Sequence, residues 1–171
     1  MLTGIVDFAV YEDGTEYLGL AKLGLPASQN KTFTVNGAGI PGDIDIPVTG
    51  AKTAQHVTID FVDNQKAAYI LAEERVHNLD CRAVHEEYND ATGQMEKHVF
   101  KHLLRVVPIS HSGGDIAPAS QQTVTNEFSV ISRKDLYDGT VLYEYAPFSG
   151  VDRDASGVNR RAEVDKLLGR T

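Results

Sequence analysis

Between positions 56 and 61 the chain alternates strictly, with Val57, Ile59 and Phe61 on one side of an extended segment and His56, Thr58 and Asp60 on the other. A period of two marks a half-buried β-strand. Weaker versions of the pattern fill most of the sequence. Residues 5–11 are almost continuously apolar, Glu12-Asp13-Gly14 turns the chain, and residues 17–25 form a second arm ended by Pro26. Asp-Gly between two strand-like runs favours a two-residue turn with positive φ, so Asp13 and Gly14 mark a hairpin. Asp138 and Gly139 repeat that signal between residues 131–137 and 140–145. Two long runs, 79–88 and 95–108, flank the turn-forming stretch 89–93, and residues 122–132 set Val124, Phe128 and Val130 against Thr123, Thr125, Glu127 and Ser129.

Helical spacing occurs twice. Ala67, Ala68, Leu71 and Ala72 predict a helix over 65–75, about three turns long with Asn64 as its N-cap. After a polar linker at 149–157, Asn159 is placed to cap a short helix over 160–168 carrying Val164, Leu167 and Leu168 and closed by Gly169. The sum is a mainly β fold of antiparallel sheets, sandwich-like or barrel-like, with about seven or eight strands, one central α-helix and a short C-terminal helix. One domain over residues 1–171 is expected, with an extended arm at about 26–52 and the linker and last helix at about 149–168.

The run 95–108 has two mixed faces. Phe100, Leu104 and Val106 lie with His98 and His102, while Val99, Leu103 and Val107 lie with Lys97, Lys101 and Arg105. A monomeric sheet normally keeps one face clearly wet. Such a strand fits better where both faces meet protein, one of them in a neighbouring subunit.

The stretch 32–62 carries two opposed readings. Gly37, Gly39 and Gly42 form G-x-G-x-x-G after the strand-like residues 32–35, with Asp60 downstream, as in a dinucleotide-binding fold. That fingerprint works only where the third glycine opens a helix whose free N–H groups hold the pyrophosphate. Here Pro41 sits inside the motif, Pro47 follows, and Ile44, Ile46 and Val48 alternate with Asp43, Asp45 and Pro47. The pattern predicts an extended segment or hairpin arm, and no cofactor.

The single cysteine, Cys81, excludes an intramolecular disulfide and suits a reduced compartment. No export signal and no stretch near the ~18 apolar residues of a membrane span is present. The formal net charge of −8 argues against a surface that grips nucleic acid. It suits a surface that lets a polyanion pass.

Candidate chemistry is sparse. Glu96, His98 and His102 project from one strand face at a spacing possible for zinc, yet no second cluster supports them and lysines line the same strand. His111 between Ser110 and Ser112, with Asp115 near, resembles a nucleophilic site only as sequence neighbours, and triads are assembled across space. Cys81, between Asp80 and Arg82 in a strand, reads as a small buried residue. Glu73-Glu74 and Glu86-Glu87 are adjacent pairs whose members point apart. No catalytic or metal residue is expected.

The order of features, an early VYEDGTEYLGLAKLGLP hairpin, the Gly-rich GAGIPGDIDIPVTG, a strand and helix, then TNEFSVISRKDLYDGTVLYEY, resembles the major tail tube proteins of contractile-tailed phages and phage-tail-like bacteriocins. Type VI secretion tubes share that architecture. The resemblance runs over about residues 5–168, and the polar stretch 152–158 is longer than the family pattern. It implies a structural, non-catalytic subunit that assembles as hexameric rings stacked into a hollow tube. The implied partners are further copies of itself, a tail sheath protein, a tape measure protein inside the tube, and DNA passing through the lumen without specific binding. The implied location is the virion tail, assembled in the host cytoplasm. Gly39, Ile40, Pro41, Ile44, Ile46 and Val48 are the candidate inter-subunit contact, and six copies of a −8 chain would make a strongly anionic ring. Two other classes compete: a small-molecule or carbohydrate binding β-sandwich using the loop 110–120, and a metal-dependent enzyme using the histidine face.

Overall fold

The computed structural model describes residues 3–170, and the alternating segments within them are strands. In chain order they are β1 (Thr3–Glu12), β2 (Thr15–Tyr17), β3 (Leu20–Gly24), β4 (Asn30–Val35), β5 (Ile44–Lys52), β6 (His56–Phe61), β7 (His77–Asn89), β8 (Gln94–Ser112), β9 (Val124–Tyr137), β10 (Thr140–Ala146) and β11 (Val151–Arg153). Helix α1 (Lys66–Leu71) follows β6, and α2 (Ala162–Leu167) closes the described chain. The mainly β, antiparallel architecture with two short helices is the one the sequence predicts. Nine strands form one sheet in the order β11-β10-β9-β8-β7-β1-β2, and β3 joins it through β6.

Strand β9 is the branch point. Its second half pairs with β10, while its first half pairs with β6, from His56↔Ser129 to Phe61↔Val124. The sheet therefore curls, so that Val57, Ile59 and Phe61 of β6 reach the same cluster as Val10 of β1 and Leu79 and Cys81 of β7. It does not close into a barrel. Helix α1 plugs the curl by burying Ala68 and Leu71, and the Asn126 side-chain amide of β9 donates to the Ala68 carbonyl at 2.8 Å. Burial pushes the Cys81 thiol up to about 12, consistent with a small core residue.

Several boundaries differ from the sequence expectation for identifiable reasons. The run 17–25 is two strands, because Gly19 at φ +75° breaks it after Tyr17. A side chain at Gly19 would strike Gln65, whose side-chain nitrogen lies 1.9 Å from where its Cβ would sit. Helix α1 spans 66–71 rather than 65–75, and Gln65, not Asn64, occupies its N-cap without a side-chain bond. It unwinds because Glu73 and Arg75 are drawn toward β1 and β7: the Glu73 carbonyl accepts from the His77 ring at 3.0 Å, and Arg75 donates to Glu12 at 2.8 Å. Strand β8 runs through Pro108 to Ser112, beyond the expected end. Past Val106 it no longer pairs with β7 and bonds β9 alone, leaving an unpaired side where a missing N–H costs nothing.

The C-terminal segment is fastened through Asn159. Its side-chain oxygen accepts from the backbone N–H groups of Asp152 and Arg161, each at 3.1 Å, and its amide donates to the Gly150 carbonyl at 3.1 Å. Asn159 thus holds β11 to the turn that precedes α2, but it does not cap the helix as the sequence predicts: α2 spans Ala162–Leu167 rather than 160–168, and Arg161 occupies its N-cap without a side-chain bond. Asn159→Ala removes all three bonds, so the segment 154–170 opens by local unfolding before the sheet does. Limited proteolysis should cut the variant in that segment under conditions that leave the parent intact.

Candidate assembly surface

Strands β4 and β5 stand apart from the large sheet as a two-stranded ribbon. Its register sets Phe33 opposite Ile46 and Val35 opposite Ile44, so these four side chains share one face, continued by Val48. Phe33, Ile40, Ile44, Ile46 and Val48 are 39–58% exposed. The other face is polar, with Thr34 donating to Asp45 at 2.6 Å. A two-stranded ribbon is marginal alone in water, and an uninterrupted apolar stripe on one is a surface to be covered.

All six expected contact residues lie in this arm. Gly39, Ile40 and Pro41 form its tip, where Gly39 takes φ +88° and the Ile40 N–H bonds the Gly37 carbonyl at 3.1 Å. No helix follows Gly42, so the G-x-G-x-x-G stretch lacks the donor array a pyrophosphate needs. Asp60 sits in β6, between Lys22 and Thr125 in register, far along the chain's other sheet. Sequence reasoning missed Phe33, the arm's largest apolar side chain. Its signal was the alternation of Phe33 and Val35 within the short strand before the glycines.

The arm's base is anchored. Lys52 donates to Asn30 at 2.6 Å and lies 4.0 Å from the buried carboxylate of Asp152, which takes a 2.8 Å bond from Arg160. A cleft of about 510 Å³ separates this base from α2, lined among others by Lys31, Phe148, Arg161 and Asp165. None of its lining comes from the loop 110–120.

The predicted turns are built as expected: Asp13 and Gly14 adopt φ +49° and +81°, and Asp138 and Gly139 +46° and +84°. Asp138 also accepts from the Val99 N–H at 2.9 Å and from His98 at 2.7 Å. The Val99 bond and the His98 contact hold the Asp138 carboxyl below its usual range, and the reciprocal bond raises His98. His102 bonds a different carboxylate, Asp135, at 2.7 Å. Burial alone raises Asp135, but His102 and Arg133 outweigh it and leave the carboxyl lowered. His98 and His102 are thus tied separately to acids, and among the described residues no group of three potential ligands converges on one point. His111 points inward to Asn126 at 2.5 Å and lies 4.8 Å from the Tyr69 ring in a tilted arrangement, which separates it from any role with Ser110, Ser112 or Asp115.

Two sheet margins are also open. β2 pairs β1 only from Val10 to Glu12, leaving the β1 edge over residues 3–9 unpaired, with Ile5 and Val6 exposed. β11 pairs β10 only at Glu144, Tyr145 and Ala146, leaving Thr140 to Tyr143 open on the opposite margin. Between these margins, no described element packs over the face of β1, β7, β8, β9 and β10 that points away from the core, and that face carries ionic side chains.

A family model for phage tail tube protein FII matches residues 3–169. No curated protein matches the sequence. Among solved structures, the chain is similar to the sheath/tube terminator of the extracellular contractile injection system PVC in its extended state, with 10% identity over 77% of this chain and 93% of that one, at a TM-score of 0.48. It is similar to a chain of the PVC sheath-tube complex, with 11% identity over 76% and 86% at a TM-score of 0.49. It is similar to a chain of the anti-feeding prophage baseplate, with 10% identity over 75% and 90% at a TM-score of 0.46. The family match spans nearly the whole described chain: the chain belongs to the phage tail tube protein FII family, a structural and non-enzymatic component of a phage or phage-like tail.

Proposed function

We propose that the chain is the repeating subunit of a contractile tail tube, six copies closing a ring and rings stacking into a hollow conduit for DNA. The apolar face of the β4–β5 arm carries this reading. It is built, anchored at its base, and left bare by the subunit itself, which is what a contact with a neighbouring copy requires. Gly39, Ile40, Pro41, Ile44, Ile46 and Val48 then meet an adjacent ring.

The open margins supply the lateral contact. Four antiparallel steps separate β1 from β10, so the two strands run in the same direction. Pairing the free β1 edge of one copy with the free β10 edge of the next continues the sheet in parallel and satisfies backbone groups that otherwise face water. A closed ring removes both edges. The sheath covers the outside of the tube, a tape measure protein fills it during assembly in the host cytoplasm, and DNA passes through it on ejection.

Negative-stain electron microscopy of the concentrated, untagged protein, beside sedimentation across a dilution series, tests the reading. Rings or hollow rods that build up with concentration are the expected result. A species that stays small at every concentration, and whose melting temperature rises with a sugar or other small ligand, would instead support the binding-module alternative.

A further inference from the structure

The uncovered sheet face differs in charge from the rest of the molecule. Alternation along the strands places six basic residues there, Arg82 on β7, Lys97, Lys101 and Arg105 on β8, Lys134 on β9 and Arg153 on β11, against six acidic ones, Asp7, Glu16, Asp80, Glu86, Glu127 and Glu144. Of the 24 acidic and 16 basic residues in all, eighteen acids and ten bases therefore lie elsewhere. The negative net charge does not reside on this face.

Half of its cations are paired with carboxylates. Arg82 donates to Asp80 at 2.8 Å, and Lys101 lies 3.5 Å from the same carboxylate. Arg153 lies 3.8 Å from Glu144, which also stands directly across the strand pair from Lys134. Glu86 stands directly across from Lys97. Arg105 donates to Asn78 at 3.1 Å, and the Arg82 guanidinium covers the Tyr11 ring at 4.9 Å. Asp80 thus serves two cations and Glu144 one, while Glu86 is the register partner of Lys97 and Glu144 that of Lys134.

We infer that this face is the wall past which duplex DNA slides, and that Asp80, Glu86 and Glu144 keep it from adhering by local pairing rather than by long-range repulsion. The inference rests on the tube reading for the face's position at the lumen. Affinity for a phosphate backbone comes from cations that exchange condensed counterions for phosphates. A lysine or arginine already paired with a neighbouring carboxylate gains little from that exchange. A wall whose charges balance, with acids interspersed among its cations and several of them paired, presents no basic stripe to the backbone, and it also sets up no deep electrostatic trap for the polyanion.

The test is retention of a short DNA duplex by the triple variant D80N/E86Q/E144Q, measured by fluorescence anisotropy from low to moderate salt on the dilute protein and on rods where rods form. The expected result is weak or no retention by the parent. The triple variant should bind with a log affinity that falls linearly with log salt, steeper by about 0.9 for each cation set free. Adding K97Q/K101Q/K134Q should remove that binding. A control, E73Q/E74Q/E163Q, changes the net charge by the same amount away from the face and should leave the parent's behaviour unaltered. Equal binding by both triple variants would overturn local pairing in favour of a whole-molecule field, and no binding by D80N/E86Q/E144Q, with its circular dichroism unchanged, would overturn the proposal outright. Absence of rods would count against the tube alone, since the duplex assay on dilute protein still reads the face.

Discussion

Replacing Phe33 and Ile46 by glutamate abolishes polymerisation while leaving the subunit folded. The two side chains stand opposite each other at the centre of the arm's apolar face, and both are largely exposed in the isolated subunit. Their substitution therefore removes almost nothing from the core, whose members all lie in the large sheet and α1. In a polymer each would be covered, at a gain of about 1.5–3 kcal/mol per fully buried side chain. A carboxylate at either position reverses that gain and adds a desolvation cost of several kcal/mol. Repeated at every subunit of a ring, the change is large enough to stop growth at concentrations where the parent is entirely in rods. Sedimentation should show a small species only, with a melting temperature within about 2 °C of the dilute parent, the scale of less than one kcal/mol in a domain of this size. Rods from this variant as abundant as the parent's would remove the arm from the contact.

Glu12→Ala produces the largest loss of stability expected of any polar substitution. Glu12 is 4% exposed at the end of β1, where it accepts from the Tyr17 hydroxyl at 2.5 Å, the Arg75 guanidinium at 2.8 Å and the His77 ring at 2.7 Å. The carboxylate ties β2, β7 and the end of α1 together. Removing it leaves Tyr17 and His77 buried without their partner, and breaking such a buried group costs about 3–5 kcal/mol. The melting temperature should fall by roughly 6–20 °C. Burial alone raises the Glu12 carboxyl, but the bonds from Tyr17, His77 and Arg75 outweigh it and hold it below the ordinary range. A carboxyl lowered by folding contributes stability that is present above its unfolded value and lost as pH falls through its folded one. Asp135 is lowered in the same sense. The parent should therefore lose stability steeply in the acid range, and Glu12→Ala, which has already lost that contribution, less steeply. Thermal melts at neutral pH and at several acid pH values check both statements; an unchanged melting temperature at neutral pH would contradict the role given to Glu12.

Much of this architecture is written in short-range patterns. The Asp13-Gly14 and Asp138-Gly139 turns follow from two residues each, because only a few side chains accept positive φ in succession. The arm follows from the alternation of Ile44, Ile46 and Val48 and from Pro41, which forbids the helix a nucleotide motif needs. What the pattern does not carry is long-range. The split of β9 between β6 and β10 depends on which distant strand reaches it, and nothing in residues 124–137 announces the branch. The shortened α1 results from Glu12, more than fifty residues away, competing for Arg75 and His77. The mixed faces of β8 do reflect surfaces turned to different surroundings, yet net charge alone pointed to an anionic wall. Pairing register places most of the acids elsewhere and sets those on the wall among basic residues, and register is a property of two strands rather than of one sequence window.

The central claim is that the chain builds a hollow tube with the ionic sheet face inward and the arm reaching the next ring. Helical reconstruction of the polymer by electron cryomicroscopy tests it most directly. The account predicts stacked six-membered rings around an open bore, with Lys97, Lys101 and Arg105 on the bore wall and Phe33, Ile44 and Ile46 buried against the adjacent ring. A solid filament, or a tube with the arm projecting free into solvent and the core-opposite face of β7, β8 and β9 on its outside, would contradict it.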